Sequence, residues 1–511
     1  MVLKDISPRD YQKTIFETAK EKNTLVVLPT GVGKTLIALM LSVERLKKHP
    51  GEKVLILAPT KPLVEQHLVS FKKSLPELFA QLELFTGAIN AKSRQRIWDQ
   101  ADIIFSTPQC IANDLKKNLY NLKDVALLVI DEAHRCLKNY DYTKVVNFYK
   151  RQAQNQRILG LTASPGSEQS IVKQICDNLS IEAFEVRTRD SEDVKPYLQE
   201  REFEKHEVPF PQEFIEIRVL LQRIYDDKVF RLKNAGLVFG PVNKITLLSL
   251  QKKLAFKVQQ SRDGVSMYGM SLTAQAIKIS HAIELLETQT LHGLKDYLIG
   301  LINQAEEKKS KGVQQLVSSQ EFKAAFLSTN QLLDKKIEHP KIEELKSIVE
   351  AEIEYKPEAK IIIFTQFRDT AEVIRKALER INTINPKTFV GQAKKGNTGL
   401  SQKEQKKIID DFREGSINVL IATSIGEEGL DIPEVNAVVF YEPIPSAIRK
   451  IQRSGRTARL APGKLKILIT KKTRDEIYHY ASTAREKKMY RTIEKVKSQM
   501  ENKSKTLKDF I

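Results

Sequence analysis

The chain has 511 residues, of which 83 are Lys or Arg and 64 are Asp or Glu, so its formal net charge is +19. This length predicts about three domains, and a hydrophobic fraction of 41% with 29% charged residues excludes a mainly disordered chain. No apolar run approaches the roughly 18–20 residues that cross a bilayer, and residues 1–5 predict no secretory signal. Three scattered cysteines predict neither a disulfide framework nor a zinc site and fit a reducing interior. The excess of basic residues favours a polyanionic partner.

Short apolar runs alternate with helical patterns over the first 200 residues. The runs are rich in Val, Ile and Leu at consecutive positions, which is typical of strands buried on both faces. Strand candidates lie at 24–28, 53–58, 102–106, 126–130 and 157–161, and the same rhythm returns at 360–364, 418–422, 437–441 and 464–469. The pattern predicts βαβ units around two parallel sheets.

A different region separates the two α/β parts. Apolar residues follow three- and four-residue spacing over 215–232 and 277–302, which predicts helices. Between Lys228 and Lys278 there are nine basic residues and one acidic residue, for a net charge of +8. The chain ends in a basic stretch that predicts a helix fraying into a linker. We therefore expect domains at 1–200, 201–335 and 336–484, followed by a basic helix or tail at 485–511.

A phosphate-binding loop is predicted after the first strand. The apolar run 25–28 leads into Thr30-Gly31-Val32-Gly33-Lys34-Thr35 and then into a helical run. Glycines let backbone N–H groups turn onto phosphate oxygens at a helix N-terminus. Lys34 would reach the β- and γ-phosphates of ATP, and the Thr35 hydroxyl would bind Mg²⁺.

An acidic pair is predicted to complete this site. The apolar run 126–130 leads directly into Asp131 and Glu132. Asp131 would hold Mg²⁺, while Glu132 would activate the attacking water. Late in the second α/β part, Gln452, Arg456 and Arg459 lie in an arginine-rich segment. Arginines supplied from another domain stabilise the charge that develops on the γ-phosphate. Together these segments predict an ATP site divided between two domains.

The motifs and their order resemble those of superfamily 2 helicases. Arg9-Asp10-Tyr11-Gln12 resembles the element that reads adenine in that family, and the phosphate loop and Asp131-Glu132-Ala133-His134 follow it in the family's order. The resemblance implies ATP binding by Arg9, Gln12, Asp431 and residues 30–35, and coupling of hydrolysis to strand movement by His134, Thr162 and Ser164. It also implies nucleic-acid contacts by Thr60, Lys61, Thr107, Gln366, Arg368 and Thr423. The implied fold is α/β, with two RecA-like parallel-sheet motor domains and a mostly α-helical domain inserted between them.

A helical insertion marks a smaller group within the superfamily. The chain resembles the archaeal helicase–nuclease Hef and the Fanconi anaemia DNA translocase, and also Dicer and the cytosolic RNA sensors. Ala133 favours the first pair, since RNA-binding members usually carry cysteine there, and residues 134–142 are similar to the Hef-like continuation. The nuclease signature E-R-K-x-x-x-D is absent from the sequence, so we expect the helicase portion of a longer protein or a member without the nuclease.

The resemblance implies an ATP-dependent DNA helicase or translocase on branched DNA, moving 3′ to 5′ in replication-fork repair and recombination, with ATP and Mg²⁺. For the insertion we expect phosphate contacts from Lys244, Lys252, Lys253 and Lys257, and we expect Tyr225, Phe230 and Phe239 to be core residues. A duplex-RNA sensor and an RNA-processing helicase module stay open as alternatives. Further expected partners are a nuclease domain and a sliding clamp, which the terminal residues 507–511 loosely suggest, although a frayed end is the favoured interpretation. The expected location is the cytoplasm of an archaeal-type cell, or the nucleus of a eukaryote.

Overall fold

The computed structural model describes residues 7–261, 263–391, 399–423, 432–454 and 462–508. These residues form two parallel sheets with helices on both faces and a helical bundle between them in the chain. The expected fold class is therefore confirmed. Within the described residues, the helices include none long and apolar enough to cross a membrane.

The first sheet contains seven parallel strands in the order β3-β4-β2-β5-β6-β1-β7. Its strands are β1 Thr24–Val27, β2 Lys53–Leu57, β3 Leu82–Phe85, β4 Ile103–Ser106, β5 Val125–Asp131, β6 Ile158–Thr162 and β7 Ala183–Val186. Its helices are α1 Asp10–Glu21, α2 Lys34–Lys48, α3 Lys61–Ser74, α4 Ala91–Gln100, α5 Pro108–Lys116, α6 Asp141–Gln152 and α7 Gln169–Leu179. Leu128 and Ile130 of β5 pack into one core, and Leu127 and Val129 pack into the core on the opposite face. Apolar residues at consecutive positions of a strand thus pack into the cores on both faces of the sheet.

The second sheet contains six parallel strands in the order β10-β11-β9-β12-β13-β8. Its strands are β8 Arg201–Val208, β9 Ile361–Phe364, β10 Pro386–Phe389, β11 Val419–Ala422, β12 Ala437–Phe440 and β13 Gly463–Thr470. The helices of this part are α14 Lys341–Tyr355, α15 Arg368–Leu378, α16 Gln402–Glu414 and α17 Ala447–Ser454. The predicted boundary at residue 201 is wrong for β8, because this strand pairs with β13 and not with the helical insertion.

The insertion consists of six helices in the described residues: α8 Gln212–Asn234, α9 Lys244–Ser261, α10 Gly264–Thr288, α11 Leu291–Glu306, α12 Lys311–Ser318 and α13 Gln320–Asp334. The apolar pattern over 277–302 belongs to two helices, because α10 ends at Thr288 and the Thr290 side chain caps the start of α11. The bundle has two apolar cores. A larger one joins α8, α10, α11, α12 and α13, and a smaller one joins the end of α8, α9 and the first half of α10.

The last helix, α18, runs from Arg474 to Lys508 and connects the two sheet domains. It begins directly after β13, yet Met489, Ile493 and Val496 are buried in the core of the first domain. The expected basic helix from residue 485 is therefore the second part of α18, and these apolar side chains pack on α7 and its surroundings. Residues 509–511 of the suggested clamp-binding end lie outside the described residues.

A buried ion pair holds the junction between the insertion and the second domain. Lys341 at the start of α14 contacts Asp475 at the start of α18, and both side chains are fully buried. The Lys341 ammonium also donates a hydrogen bond to the Thr288 carbonyl at the end of α10, over 3.1 Å. The Thr470 N–H donates to Asp475 at 2.9 Å. One pair of charges therefore ties α10, α14 and α18 together.

Replacing Lys341 with Met is expected to lower the apparent free energy of unfolding by about 3–5 kcal/mol, because it leaves the Asp475 carboxylate buried without its cation. The double variant Lys341→Met/Asp475→Leu should recover most of this loss. Unfolding in urea, followed by circular dichroism, measures both. The control is Lys346→Met, which breaks the exposed Lys346–Glu343 pair and should cost about 1 kcal/mol or less. Equal losses for Lys341→Met and the control would contradict the assignment.

Candidate functional site

The predicted phosphate loop connects β1 to α2, as the sequence indicates. Gly31 and Gly33 have φ angles of 83° and 79°, in the left-handed region that favours glycine. A Cβ atom at Gly33 would lie 2.3 Å from the Gln12 Nε2 atom. The backbone conformation therefore favours glycine at this position, and a larger residue would also displace the end of the Gln12 side chain. The Lys34 ammonium donates to the carbonyls of Leu28 (3.1 Å) and Pro29 (3.2 Å), so it lies over the loop.

The Arg9–Gln12 element packs directly on this loop. The Gln12 side chain donates to the Val32 carbonyl at 3.2 Å, and its Oε1 atom accepts a hydrogen bond from the Arg9 N–H at 2.9 Å. Sequence reasoning named Tyr11 as part of this element but gave it no role. Its hydroxyl donates to the Val32 carbonyl at 2.7 Å and accepts a hydrogen bond from Arg9 at 3.2 Å. The ring is fully buried. The hydrogen bond from Tyr11 to Val32 therefore sets the distance between the phosphate loop and α1.

Asp131 and Glu132 lie at the carboxyl end of β5, two strands away from β1 in the sheet. The Asp131 carboxylate accepts hydrogen bonds from the Glu132 N–H at 2.9 Å and from His67 Nε2 at 2.8 Å. Burial raises the pKa of Asp131, but the His67 hydrogen bond and the charges of His67 and Lys34 outweigh burial, so the pKa lies below its usual value. This carboxyl is consequently held ionised.

His67 is a site residue that sequence reasoning missed. It lies on α3 between Val64 and Phe71, at the three- and four-residue spacing of a buried helix face. A single polar residue on such a face was the available signal. Its distance of 64 residues from Asp131 in the sequence gave no indication of the contact.

Glu132 adopts a left-handed conformation with φ 52° and ψ 49°, which is uncommon for a residue with a side chain. Its Oε2 atom is buried, has no hydrogen-bond donor within the described residues, and lies 3.3 Å from His134 Nδ1. His134 Nδ1 lies 3.2 Å from the Thr162 hydroxyl. The Ser164 N–H donates to Thr162 at 3.1 Å, and the Ser164 hydroxyl donates to the Met489 sulfur of α18. The structure thus connects the acidic pair to α18 through three polar side chains.

The other predicted residues of the first domain lie at the same edge of the sheet. Thr60 precedes α3, Lys61 begins it, and Thr107 precedes α5, so all three follow the carboxyl ends of β2 and β4. In the second domain, Gln366 and Arg368 follow β9, and Thr423 follows β11. The guanidinium of Arg368 donates to the Gly391 carbonyl at 2.9 Å. Gln452 lies in α17, but its side chain, together with Asp431, Arg456 and Arg459, lies outside the described residues.

A small cavity of about 40 Å³ lies between the phosphate loop and the second domain. Pro29 and Thr30 line one side, and Ile451 and Ser454 of α17 line the other. Two arginines without a predicted role, Arg187 and Arg189, also line it. They follow β7, a strand that the sequence pattern did not predict. The segment that carries the predicted arginines therefore begins beside the loop.

The lysines of the insertion differ in their surroundings. Lys244 forms an ion pair with Glu284 at 2.7 Å. Lys252, Lys253 and Lys257 are exposed on α9, and no carboxylate among the described residues lies within ion-pair distance of them. The expectation that Phe230 and Phe239 are core residues is wrong, because Phe230 is 62% exposed and Phe239 is 82% exposed. Tyr225 is half-buried, as expected for a residue at the edge of the core, and donates to the Val242 carbonyl at 3.3 Å.

Three family models match successive parts of the chain. The DEAD/DEAH box helicase model matches residues 9–171, and the helicase conserved C-terminal domain model matches residues 340–461. Between them, residues 213–336 match a model described as "Putative ATP-dependent RNA helicase, helical bundle". The three matches correspond to the first sheet, the second sheet and the insertion.

Curated relatives align with most of the chain. A protein of Methanocaldococcus jannaschii named "Putative ATP-dependent RNA helicase MJ1505" is 39% identical over 96% of this chain and 61% of its own length. "ATP-dependent DNA helicase MPH1" of Pyricularia oryzae is 33% identical over 94% of this chain, and its Aspergillus terreus counterpart is 34% identical over 94%. The chain spans 45% and 46% of these fungal proteins.

Among solved structures, the helicase domain of Pyrococcus furiosus Hef is similar over 94% of this chain and 100% of that chain. The sequence identity is 43% and the TM-score is 0.72. The match includes both sheets and the insertion, which is the arrangement described above. The chain therefore belongs to the Hef-like family of ATP-dependent DNA helicases in superfamily 2 and corresponds to the helicase portion of that family.

Proposed function

We propose that the chain is an ATP-driven motor that moves DNA strands at branch points such as forks and four-way junctions. The observation that carries the ATP-dependent part is the convergence of the phosphate loop, Asp131 and Glu132 at one edge of the first sheet. Lys34 and the loop N–H groups would hold the phosphates. Gln12, Arg9 and the 30–35 loop would form the adenine-side wall of the same site.

The residues of this edge suit Mg²⁺, which prefers oxygen ligands. The Asp131 carboxylate is held ionised, and Thr35 at the start of α2 offers a hydroxyl. These two residues would hold the ion, which would neutralise charge on the transferred phosphoryl group. The Glu132 Oε2 atom accepts no hydrogen bond within the described residues, and it is the proposed acceptor of a proton from the attacking water. That water forms the new bond to the γ-phosphorus as the bond to the β–γ bridging oxygen breaks.

Hydrolysis would be coupled to movement through two routes. His134, Thr162 and Ser164 link Glu132 to α18, so a displacement of the carboxylate reaches a helix anchored in both domains. Arg456, Arg459 and Gln452 would approach the γ-phosphate from the second domain, since α17 ends beside the phosphate loop. Thr60, Lys61 and Thr107 would contact the strand from the first domain, and Gln366, Arg368 and Thr423 from the second. We propose the family's 3′ to 5′ direction for this movement.

DNA is the proposed substrate because the fungal relatives are named DNA helicases and the Hef domain aligns over its full length. The exposed lysines of α9 supply the surface for a second arm of a branch. Such contacts are electrostatic and independent of sequence. Fork repair and recombination are the processes this activity would serve, and a nuclease domain and a sliding clamp are the proposed partners. Duplex RNA is a second candidate, favoured by the name of the M. jannaschii relative.

Steady-state ATPase activity with five polymers at one salt concentration tests the proposal. The polymers are single-stranded DNA, linear duplex DNA, forked DNA, four-way-junction DNA and duplex RNA. We expect the strongest stimulation from fork or junction DNA. Lys34→Ala should abolish hydrolysis while leaving DNA binding largely intact. Strongest stimulation by duplex RNA would overturn the DNA assignment, since RNA readers contact 2′-hydroxyls.

Replacing Tyr11 with Phe removes the hydroxyl that supports Val32 and should raise the KM for ATP about two- to tenfold, as expected for one hydrogen bond. The turnover number and DNA affinity should stay unchanged. Tyr149→Phe is the matched control, because it deletes a buried hydroxyl that donates to the Arg157 carbonyl, away from the loop. Equal KM values for both variants and the wild type would contradict the role of Tyr11.

Substituting Lys252, Lys253 and Lys257 together with Ala should weaken junction binding and flatten its dependence on salt. Each lost phosphate contact lowers the slope of log K against log salt by about 0.9, so the expected change is about 2–3. The control Lys309→Ala/Lys323→Ala/Lys335→Ala removes the same charge from exposed positions elsewhere in the insertion. Fluorescence anisotropy over a salt series measures both slopes. A change of the same size in the control would exclude a specific role for α9.

A further inference from the structure

A cavity of about 580 Å³ lies where the insertion meets the second domain. Helices α10 and α11 form two of its walls, and the start of α15 forms the third. This volume falls within the range of about 300–1,000 Å³ that is typical of small-molecule sites. The cavity has no part in the ATP site described above, which lies between the first sheet and α17.

Three aromatic rings form one side of the cavity. The His281 ring contacts the Tyr297 ring at 4.8 Å in an edge-on arrangement and the Phe367 ring at 5.6 Å. The rings come from α10, α11 and the residue before α15, so three separate elements converge to make the wall. Aromatic walls of this kind stack flat, π-bearing groups.

The space inside the cavity is kept open by a glycine. Gly300 lies in the middle of α11, where glycine costs roughly 0.5–1 kcal/mol relative to alanine. No atom lies within 4 Å of the position that a Cβ would occupy there. The other lining glycine, Gly293, differs, because its Cβ position lies 3.1 Å from the Thr290 hydroxyl. Neighbouring packing therefore accounts for Gly293 but not for Gly300, whose missing side chain leaves room for a ligand.

The polar groups of the cavity select the chemistry of that ligand. Asp296 and Asp369 offer acceptor oxygens, the Gln304 oxygen accepts a hydrogen bond from Lys278 at 3.3 Å, and Arg368 carries a fixed positive charge. Burial, followed by the charge of Asp369, raises the pKa of Asp296. Two carboxyl groups at one cavity disfavour a phosphate and suit N–H donors. A flat ring that carries amino groups meets both requirements, and nucleobases have this chemistry.

The location of the cavity indicates the source of such a ring. Phe367 and Arg368 follow β9, at the edge where the second domain is proposed to contact a strand. We propose that this cavity accepts one unpaired nucleobase, turned out of the bound strand and stacked on the His281–Tyr297–Phe367 wall. This inference rests on the proposed function, and it adds a base-binding step to contacts that otherwise involve the phosphate backbone.

An abasic-site scan tests this proposal. Forked DNA is prepared with a single abasic position moved one nucleotide at a time along the single-stranded arm, and affinity is measured for each fork. Loss of a stacked base should weaken binding by wild-type protein about fivefold or more at one register. Gly300→Leu fills the cavity and should remove this register-specific effect. Asn303→Leu, at an exposed position of α11 outside the lining, should retain it.

Tyr297→Leu provides a second variant, since it keeps apolar volume but removes a ring, and it should reduce the register-specific effect by more than half. Fork-stimulated ATPase activity of each variant shows that the motor is folded. A flat scan for the wild type with normal stimulation, or a Gly300→Leu scan equal to that of the wild type, would overturn this proposal alone. Absence of any DNA binding or stimulation in the wild type would overturn the proposed function together with it.

Discussion

The carboxylate of Asp131 must remain ionised although protein surrounds it, and the architecture of the first domain meets this constraint. The carboxylate leaves the end of a strand that is buried on both faces, so it receives little help from water. His67 from α3 and the Glu132 N–H supply hydrogen bonds, while Lys34 supplies charge. The contributing groups come from separate βα units. Parallel strands bring these units together because their carboxyl ends share one edge.

The constraint extends to the neighbours of Asp131. The Tyr142 hydroxyl donates to the Asp131 carbonyl at 2.8 Å, which fixes the backbone where Glu132 turns into its left-handed conformation. That turn points the second carboxylate towards His134 rather than along the strand. The two adjacent acidic residues thereby acquire different surroundings: each Asp131 oxygen accepts a hydrogen bond, whereas the Glu132 Oε2 atom accepts none within the described residues. Different surroundings are what allow one to bind and the other to accept a proton.

Sequence patterns predicted the inner strands of both sheets, and the proposed site residues that the structure describes follow the ends of these strands. The four strands that they missed, β3, β7, β8 and β10, are the four sheet edges. An edge strand needs less apolar sequence, and Arg201–Val208 is mostly charged, with Phe203 and Val208 as its apolar residues. Contacts such as His67–Asp131 and Ser164–Met489 were also missed, because they join positions 64 and 325 residues apart. Local periodicity carries no information about them. Phe239 lies in the connection between α8 and α9, where helical spacing does not apply, and its neighbour Val238 is the residue that packs into the small core.

Helix α18 restricts how far the two sheet domains can separate. At 1.5 Å per residue, its 35 residues form a rod about 50 Å long that starts on the second domain. Pulling Met489, Ile493 and Val496 out of the first core would cost about 5–9 kcal/mol, at roughly 1.5–3 kcal/mol for each buried side chain. Such a detachment would consume much of the free energy that is released when one ATP is hydrolysed. We therefore expect the proposed motor to move by bending and swivelling about α18, with the two sheet domains staying joined throughout the cycle.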